Sequence, residues 1–309
     1  MHRRPSSRTI ATAVIEIAAL LVAGCEARGY GALPTDSDTP RVTVIAPLSN
    51  TAPAPDAPPD QPAATFDGLD ARVREATADA ANSGADIKVV VLDRNTGQTV
   101  SNGDNGAFPI ASVVKLFIAD DLLLQESKGE TTLSPADRNS LDTMLRSSDD
   151  GAAQNFWNRS GGNAVITRVV ARYGLTGTTA PSDGQWDVTQ STASDLVRYY
   201  TKLLDGTGGL PPEQANVIMG NLAQSTPTGS DGYPQRFGIP EGLYAEPVAV
   251  KQGWFCCWNG ANQLHVTTGV IGPDRRYVMA IGSLEPDDAA AARATMTQVV
   301  KTMFPGGKI

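Results

Sequence analysis

Between residues 66 and 309 the spacing of apolar positions changes several times, and each change marks an element. Leu69, Val73, Ala76 and Ala80 recur at intervals of three and four, the face of one helix. Residues 87–92 form a β-branched run, and Arg94-Asn95-Thr96-Gly97 is a turn leading to a short second strand. From residue 112 to about 222 helical spacing dominates. Two capping boxes punctuate this block, Ser134-Pro135-Ala136-Asp137 with Pro at the first helical position and Thr192-Ala193-Ser194-Asp195. Strand signals return at 247–254, 265–271 and 277–283, and Asn259-Gly260 suits a tight turn between the first two. A last helix runs from about residue 287 to 304. The order predicts an α+β domain. Early and late strands share one antiparallel sheet, the terminal helices cover one of its faces, and the helical block forms a second lobe.

The first 65 residues follow a different logic. Arg3, Arg4 and Arg8 precede a mostly apolar run over residues 10–22, too short to span a bilayer, so residues 1–24 read as a signal peptide. Val22-Ala23-Gly24-Cys25 resembles a bacterial lipobox, which places lipid on Cys25 and the exported protein on the outer face of the cell membrane. Glu16 interrupts the apolar run, and the flanks of Arg3-Arg4 fit twin-arginine export poorly, so the export route stays open. Residues 26–65 carry eight prolines among Ala, Thr, Ser and Asp and cannot bury enough apolar surface to fold. Residues 25–65 therefore read as a lipidated cysteine and an extended spacer, reaching on the order of 100 Å in the polyproline limit. The folded domain occupies 66–309.

Composition narrows the partners. The formal charge is −8, and loss of residues 1–24 leaves 22 basic and 32 acidic residues, or −10. No basic block follows residue 10, which argues against nucleic acid, whose binding needs clustered Lys and Arg. Beyond residue 24 the only histidine is His265, inside a strand pattern, so neither a Ser-His-Asp triad nor a histidine metal site is expected. No glycine-rich phosphate loop precedes a helix, and no cofactor is expected.

The candidate chemistry lies elsewhere. In Phe108-Pro109-Ile110-Ala111-Ser112-Val113-Val114-Lys115, Ser112 opens an apolar helix and Lys115 follows one turn later on the same face. A serine hydroxyl needs a base, and a lysine serves when desolvation depresses its pKa. Alone the pair is a weak signal. It is joined by Ser147-Ser148-Asp149-Asp150, with Ser148 36 residues after Ser112, and by Lys251-Gln252-Gly253-Trp254 on a strand. Serine-x-x-lysine, then S-D-N, then K-T-G is the signature of class A β-lactamases and penicillin-binding proteins, and residues 66–309 resemble that family. Phe108-Pro109, Thr228-Gly229 and Gly238-Ile239-Pro240-Glu241-Gly242 add to the likeness. The resemblance implies a β-lactamase-like fold and an acylated nucleophile at Ser112. It assigns proton acceptance to Lys115, a proton relay to Ser148, and to Lys251 the tasks of holding Ser148 and facing a substrate carboxylate. The N–H groups of Ser112 and Trp254 would form an oxyanion hole, and Gly253 would let substrate lie against the edge strand. The implied ligands are β-lactams or peptides ending like D-Ala-D-Ala.

Three positions depart from the pattern. Asp150 replaces Asn, can only accept hydrogen bonds when ionised, and should raise the pKa of Lys115. Gln252 replaces a hydroxyl that binds the substrate carboxylate, and could substitute for it or fill the pocket. Residues 175–192 contain no Glu, only Asp183 and Asp187, so the family's Glu-x-x-Leu-Asn deacylation motif is absent and an acyl-enzyme should be long-lived. Two readings follow: a serine hydrolase slow or deficient in deacylation, or a non-catalytic envelope lipoprotein that keeps the scaffold. Export favours oxidation of Cys256 and Cys257, but adjacent Cα atoms lie about 3.8 Å apart, below the usual disulfide span, so a vicinal bond, two thiols and pairing with another chain all stay open. Trp254 and Trp258 are expected to pack in the hairpin or line a site.

Overall fold

The computed structural model describes residues 66–309; the signal peptide, Cys25 and the spacer lie outside the described residues. Helix α1 (Leu69–Asn82) leads into β1 (Asp86–Asp93) and the short β2 (Thr99–Ser101). After β3 (Phe108–Pro109) come α2 (Lys115–Ser127), α3 (Pro135–Arg146), α4 (Asp150–Arg159) and α5 (Ala164–Tyr173). Then β4 (Gln190–Ser191) precedes α6 (Ala193–Asp205), α7 (Pro212–Leu222) and the single turn α8 (Ile239–Gly242). The chain finishes with β5 (Val248–Trp258), β6 (Asn262–Ile271), β7 (Tyr277–Glu285) and α9 (Ala289–Met303).

The main sheet has the order β2-β1-β7-β6-β5, all antiparallel, with β5 at an edge. Its strands are covered on both faces. Val89, Val91, Met279 and Ile281 pack with Leu69 and Val73 of α1 and Met296 and Val300 of α9. Val90, Val266, Val278 and Ala280 face the other way, into a cluster with Leu116 of α2 and Leu196 of α6. Burial on both sides explains why β1 and β7 read as apolar runs rather than alternating strands. This is the architecture expected from the sequence.

The helical lobe is built round α2, whose residues Lys115 to Leu124 are all buried. Two carboxylates go with it, and each is compensated. Asp120 takes Arg172 and the Tyr173 hydroxyl, and Asp121 takes two bonds from the Arg168 guanidinium, each of 2.7 Å.

Local details differ from expectation in two places. Ser112 does not open α2; it lies in a 3-10 turn, Ala111–Val114, that precedes the helix. Thr192 caps α6, accepting from the Asp195 N–H, but the reciprocal half of the box is missing. The Asp195 carboxylate accepts from the Gly177 N–H and the Thr178 hydroxyl instead, so a tertiary contact has claimed the local one. The Ser134 box forms as read.

One close approach seats the Ser112 segment. β3 pairs with β4, and the Phe108 ring lies over Gly282 of β7, where an added Cβ would come within 2.5 Å of it. The Gly282→Ala substitution is expected to displace Phe108 and destabilise the domain by roughly 1–3 kcal/mol. Calorimetry should then show a Tm lowered by roughly 5 °C.

Candidate active site

The 3-10 turn is what brings the serine to the lysine. At three residues per turn, positions i and i+3 eclipse, so Ser112 and Lys115 stand one over the other. Lys115 Nζ donates to Ser112 Oγ at 2.8 Å, with Ser112 buried and Lys115 fully so. Ala111, just before Ser112, is held at φ 46°, and Ser148 at φ 60°. Such left-handed values cost a non-glycine residue about 1–3 kcal/mol and persist only where the surroundings impose them. Only four non-glycine residues among those described have positive φ, and two are these.

Ser148 occupies the corner between α3 and α4. Asp149 caps α4, accepting from the Ala152 N–H at 2.7 Å, and Asp150 is the first residue of that helix. This settles the register: Ser148 faces the lysines, whereas the Ser147 hydroxyl meets Thr226. Lys115 Nζ reaches the Ser148 carbonyl at 2.6 Å and its Oγ at 3.4 Å, and Lys251 Nζ donates to the same Oγ at 2.7 Å. Lys251 is 1% exposed and also donates to the Gln252 carbonyl at 3.0 Å. Ser112, Lys115, Ser148 and Lys251 therefore form one continuous buried chain of polar contacts, drawn from three distant segments.

The electrostatics of the two amines are set by burial. Desolvation lowers the Lys115 pKa below its ordinary value, and Asp150, whose Oδ1 lies 2.5 Å from Nζ, pulls the other way. Burial prevails because Lys115 is fully enclosed while the Asp150 side chain is 68% exposed and screened by water. The sequence-based expectation that Asp150 raises this pKa holds for its own contribution and fails for the net direction. Lys251 is pushed well below its ordinary value by burial, then by the neighbouring charge of Lys115.

Ser112 opens onto a cleft of about 250 Å³, whose walls include Asp150, Asp187, Asp231 and the aromatic residues Trp186, Trp254 and Phe255. Larger hollows of about 400 Å³ lie between α1 and α9 and beside α6, but neither holds this chemistry. Sequence reasoning missed Asp231 and Phe255, and noted Asp187 only as an acid in a loop without Glu. Trp186-Asp187 in a 3-10 turn before β4 carries that acid to the cleft, where burial raises its pKa. Among the described residues no three His, Cys, Asp or Glu side chains are grouped to hold a metal ion.

Two of the residues expected to touch substrate have other occupations. Gln252 is 2% exposed and turns away from the cleft. Its Nε2 donates to the carbonyls of Gln235 at 3.1 Å and Phe237 at 2.7 Å. Gln235 Nε2 in turn donates to the Arg146 carbonyl at 3.0 Å, just before the Ser147-Ser148 corner. The two glutamines thus tie β5, the loop 226–237 and the Ser148 corner together. At Gly253 an added Cβ would lie 2.6 Å from the Ile110 carbonyl and 3.3 Å from the Ser112 nitrogen. The close approach that requires glycine is to the chain's own turn at Ile110–Ser112, not to a ligand. Trp254 lines the cleft, stacked on Tyr233 with its Nε1 donating to Asp231 Oδ2 at 3.1 Å, while Trp258 packs on Phe255. His265 is a buried strand residue bonded to the Tyr233 hydroxyl, and burial lowers its pKa to about 4. Cys256 and Cys257 are joined to each other by a disulfide at the exposed end of β5. Replacing Gln252 by Met keeps the volume but takes the side-chain donor from the Phe237 carbonyl, while the Gln235 carbonyl keeps the Phe237 N–H. The expected loss is about 2 kcal/mol in denaturant unfolding.

Comparison with known proteins bears on the fold and on the chain as a whole. The model of the Beta-lactamase enzyme family, Beta-lactamase2, matches residues 69–137. Proteins named "Putative lipoprotein LppW" from Mycobacterium tuberculosis and Mycobacterium bovis are 56% identical over 317 residues, covering 100% of both chains. A class A β-lactamase from Mycobacterium abscessus superposes with a TM-score of 0.59 at 20% identity, covering 76% of this chain and 97% of its own. A β-lactamase from Xanthomonas campestris gives a TM-score of 0.60 at 20% identity with the same coverage. These structures share the fold, and the mycobacterial lipoproteins share the whole chain. The protein belongs to the family of the mycobacterial lipoproteins named LppW, and its folded domain has the β-lactamase-like fold.

Proposed function

We propose that this lipoprotein carries a serine acyl-transfer site, acylated at Ser112 by β-lactam or D-Ala-D-Ala-like carbonyl donors and slow to release the acyl group. The observation that carries the reading is the fully buried Lys115 amine 2.8 Å from Ser112 Oγ. With its pKa lowered, Lys115 takes the proton as Oγ attacks the carbonyl carbon. The N–H groups of Ser112 and Trp254 receive the developing oxyanion. The proton then passes from Lys115 through Ser148 Oγ to the leaving nitrogen, and Lys251 holds Ser148 in place for that transfer. The acyl group stays on Ser112 because the loop 175–192 offers Asp187 in place of a glutamate. Lipid on Cys25 would hold the domain on the outer face of the cell membrane, on the spacer formed by residues 26–65.

The second reading, an envelope lipoprotein that keeps the scaffold without catalysis, is favoured by one observation: the Lys115–Asp150 ion pair, which stabilises the protonated amine. Intact-mass analysis separates the two. On the acyl-transfer reading the purified protein gains the mass of a β-lactam and Ser112→Ala does not; absence of any adduct across penicillins, cephalosporins and carbapenems selects the scaffold. Asp150→Asn removes the influence that raises the Lys115 pKa. It is expected to speed acylation about tenfold near neutral pH and to move the rising limb of the pH–rate profile to lower pH. An unchanged profile would mean that Lys115 is not the base.

A further inference from the structure

The walls of the Ser112 cleft carry charges of one sign. Asp150, Asp187 and Asp231 line it, and no cationic side chain does. Lys115 and Lys251 stand behind the wall, 0% and 1% exposed, with their donors directed at Ser112, Ser148, Asp150 and the Gln252 carbonyl. The amide of Gln252, at the position where a donor to an anion was expected, is spent on two backbone carbonyls. Of the three acids only Asp150 has a cationic partner among the described residues. The Asp231 oxygens accept from the Tyr233 N–H and the Trp254 indole N–H, both neutral donors. The acids are not a metal-binding group, since no three such side chains converge. They are spread round a cavity that also holds a nucleophile.

The rest of the wall is aromatic. Trp186 and Trp254 both face the cleft. Trp186 already meets one amine, with Lys115 Nζ 4.8 Å from its ring centroid. Trp254 is fixed by its stack on Tyr233, ring centroids 4.9 Å apart, and by its bond to Asp231. Indole faces and carboxylates both attract a positive charge, and both disfavour an anion. A donor whose only charge is a carboxylate would meet three acids and no free donor side chain, whereas one that also bears an ammonium would meet a compensating field.

We propose that this cleft selects acyl donors that carry a positive charge, an ammonium or protonated amine near the scissile carbonyl. The substrate class rests on the acyl-transfer reading above; the cation preference of the cleft does not. Asp187 and Asp231 hold the cation by charge, and Trp186 and Trp254 hold it by their ring faces. The carbonyl then lies over Ser112 with the leaving group toward Ser148.

The test uses the whole protein and three thioesters: acetylthiocholine, its neutral carbon isostere 3,3-dimethylbutyl thioacetate, and anionic 3-(acetylthio)propionate. In each, the acetyl group moves to Ser112 Oγ and the thiol leaves with the serine proton. Acetylthiocholine is expected to acylate Ser112 about tenfold faster than the isostere, the energy of one cation–aromatic contact, and the anion slowest. Asp187→Asn and Asp231→Asn should each narrow that ratio. Equal rates for the cationic and neutral esters, or a faster anion, would overturn the proposal. If no ester acylates Ser112, the acyl-transfer reading is decided by the β-lactam mass test above, and the cleft is tested alone. Tetramethylammonium should then quench tryptophan fluorescence saturably in the wild type and in Ser112→Ala, and less so with Asp187→Asn and Asp231→Asn combined. A response no larger than that of sodium chloride at equal ionic strength would overturn the cation preference.

Discussion

Two lysine amines taken out of water and made to share one serine hydroxyl are the constraint on which the site depends. Lys115 and Lys251 both reach Ser148 Oγ, at 3.4 and 2.7 Å, and neither side chain has solvent to fall back on. A buried ammonium is costly without partners, and the domain meets that cost with carbonyls, a serine pair and one solvent-exposed carboxylate. The same arrangement lowers the Lys115 pKa, the direction that a base for Ser112 requires. Structure and electrostatics are here one fact: the enclosure that destabilises the charge also lowers the pKa of the amine.

That enclosure is assembled from distant parts of the chain, and its tightness has visible mechanical causes. Gly282 admits Phe108 against the sheet and Gly253 admits the Ile110–Ser112 backbone against β5. Gln252 and Gln235 then lock β5 to the corner that bears Ser148. With these in place, Ala111 and Ser148 are forced into left-handed backbone. The cleft that adjoins this framework is acidic and aromatic, and Ser112 and Asp150 belong to both.

The α+β architecture was legible because both sheet faces are buried, giving long apolar runs, and because caps such as Ser134 are local. The four polar residues of the framework were legible through short motifs whose chemistry demands fixed residue types. What escaped was decided by tertiary contact. Whether Gln252 points into or away from a cleft depends on carbonyls at 235 and 237, which no local pattern reveals. Asp231 sits in a loop whose turn residues suggest only a turn, and it reaches the cleft through its bond to Trp254. The net pKa direction at Lys115 depended on burial, which sequence spacing does not measure, rather than on the neighbouring charge, which it does.

The most direct measurement of the account is the titration of Lys115 itself, followed through its ¹⁵Nζ signal in the folded protein. The account predicts a midpoint below the ordinary 10.5. A midpoint at or above that value would show that the Asp150 pair outweighs desolvation, and Ser112 would have no base.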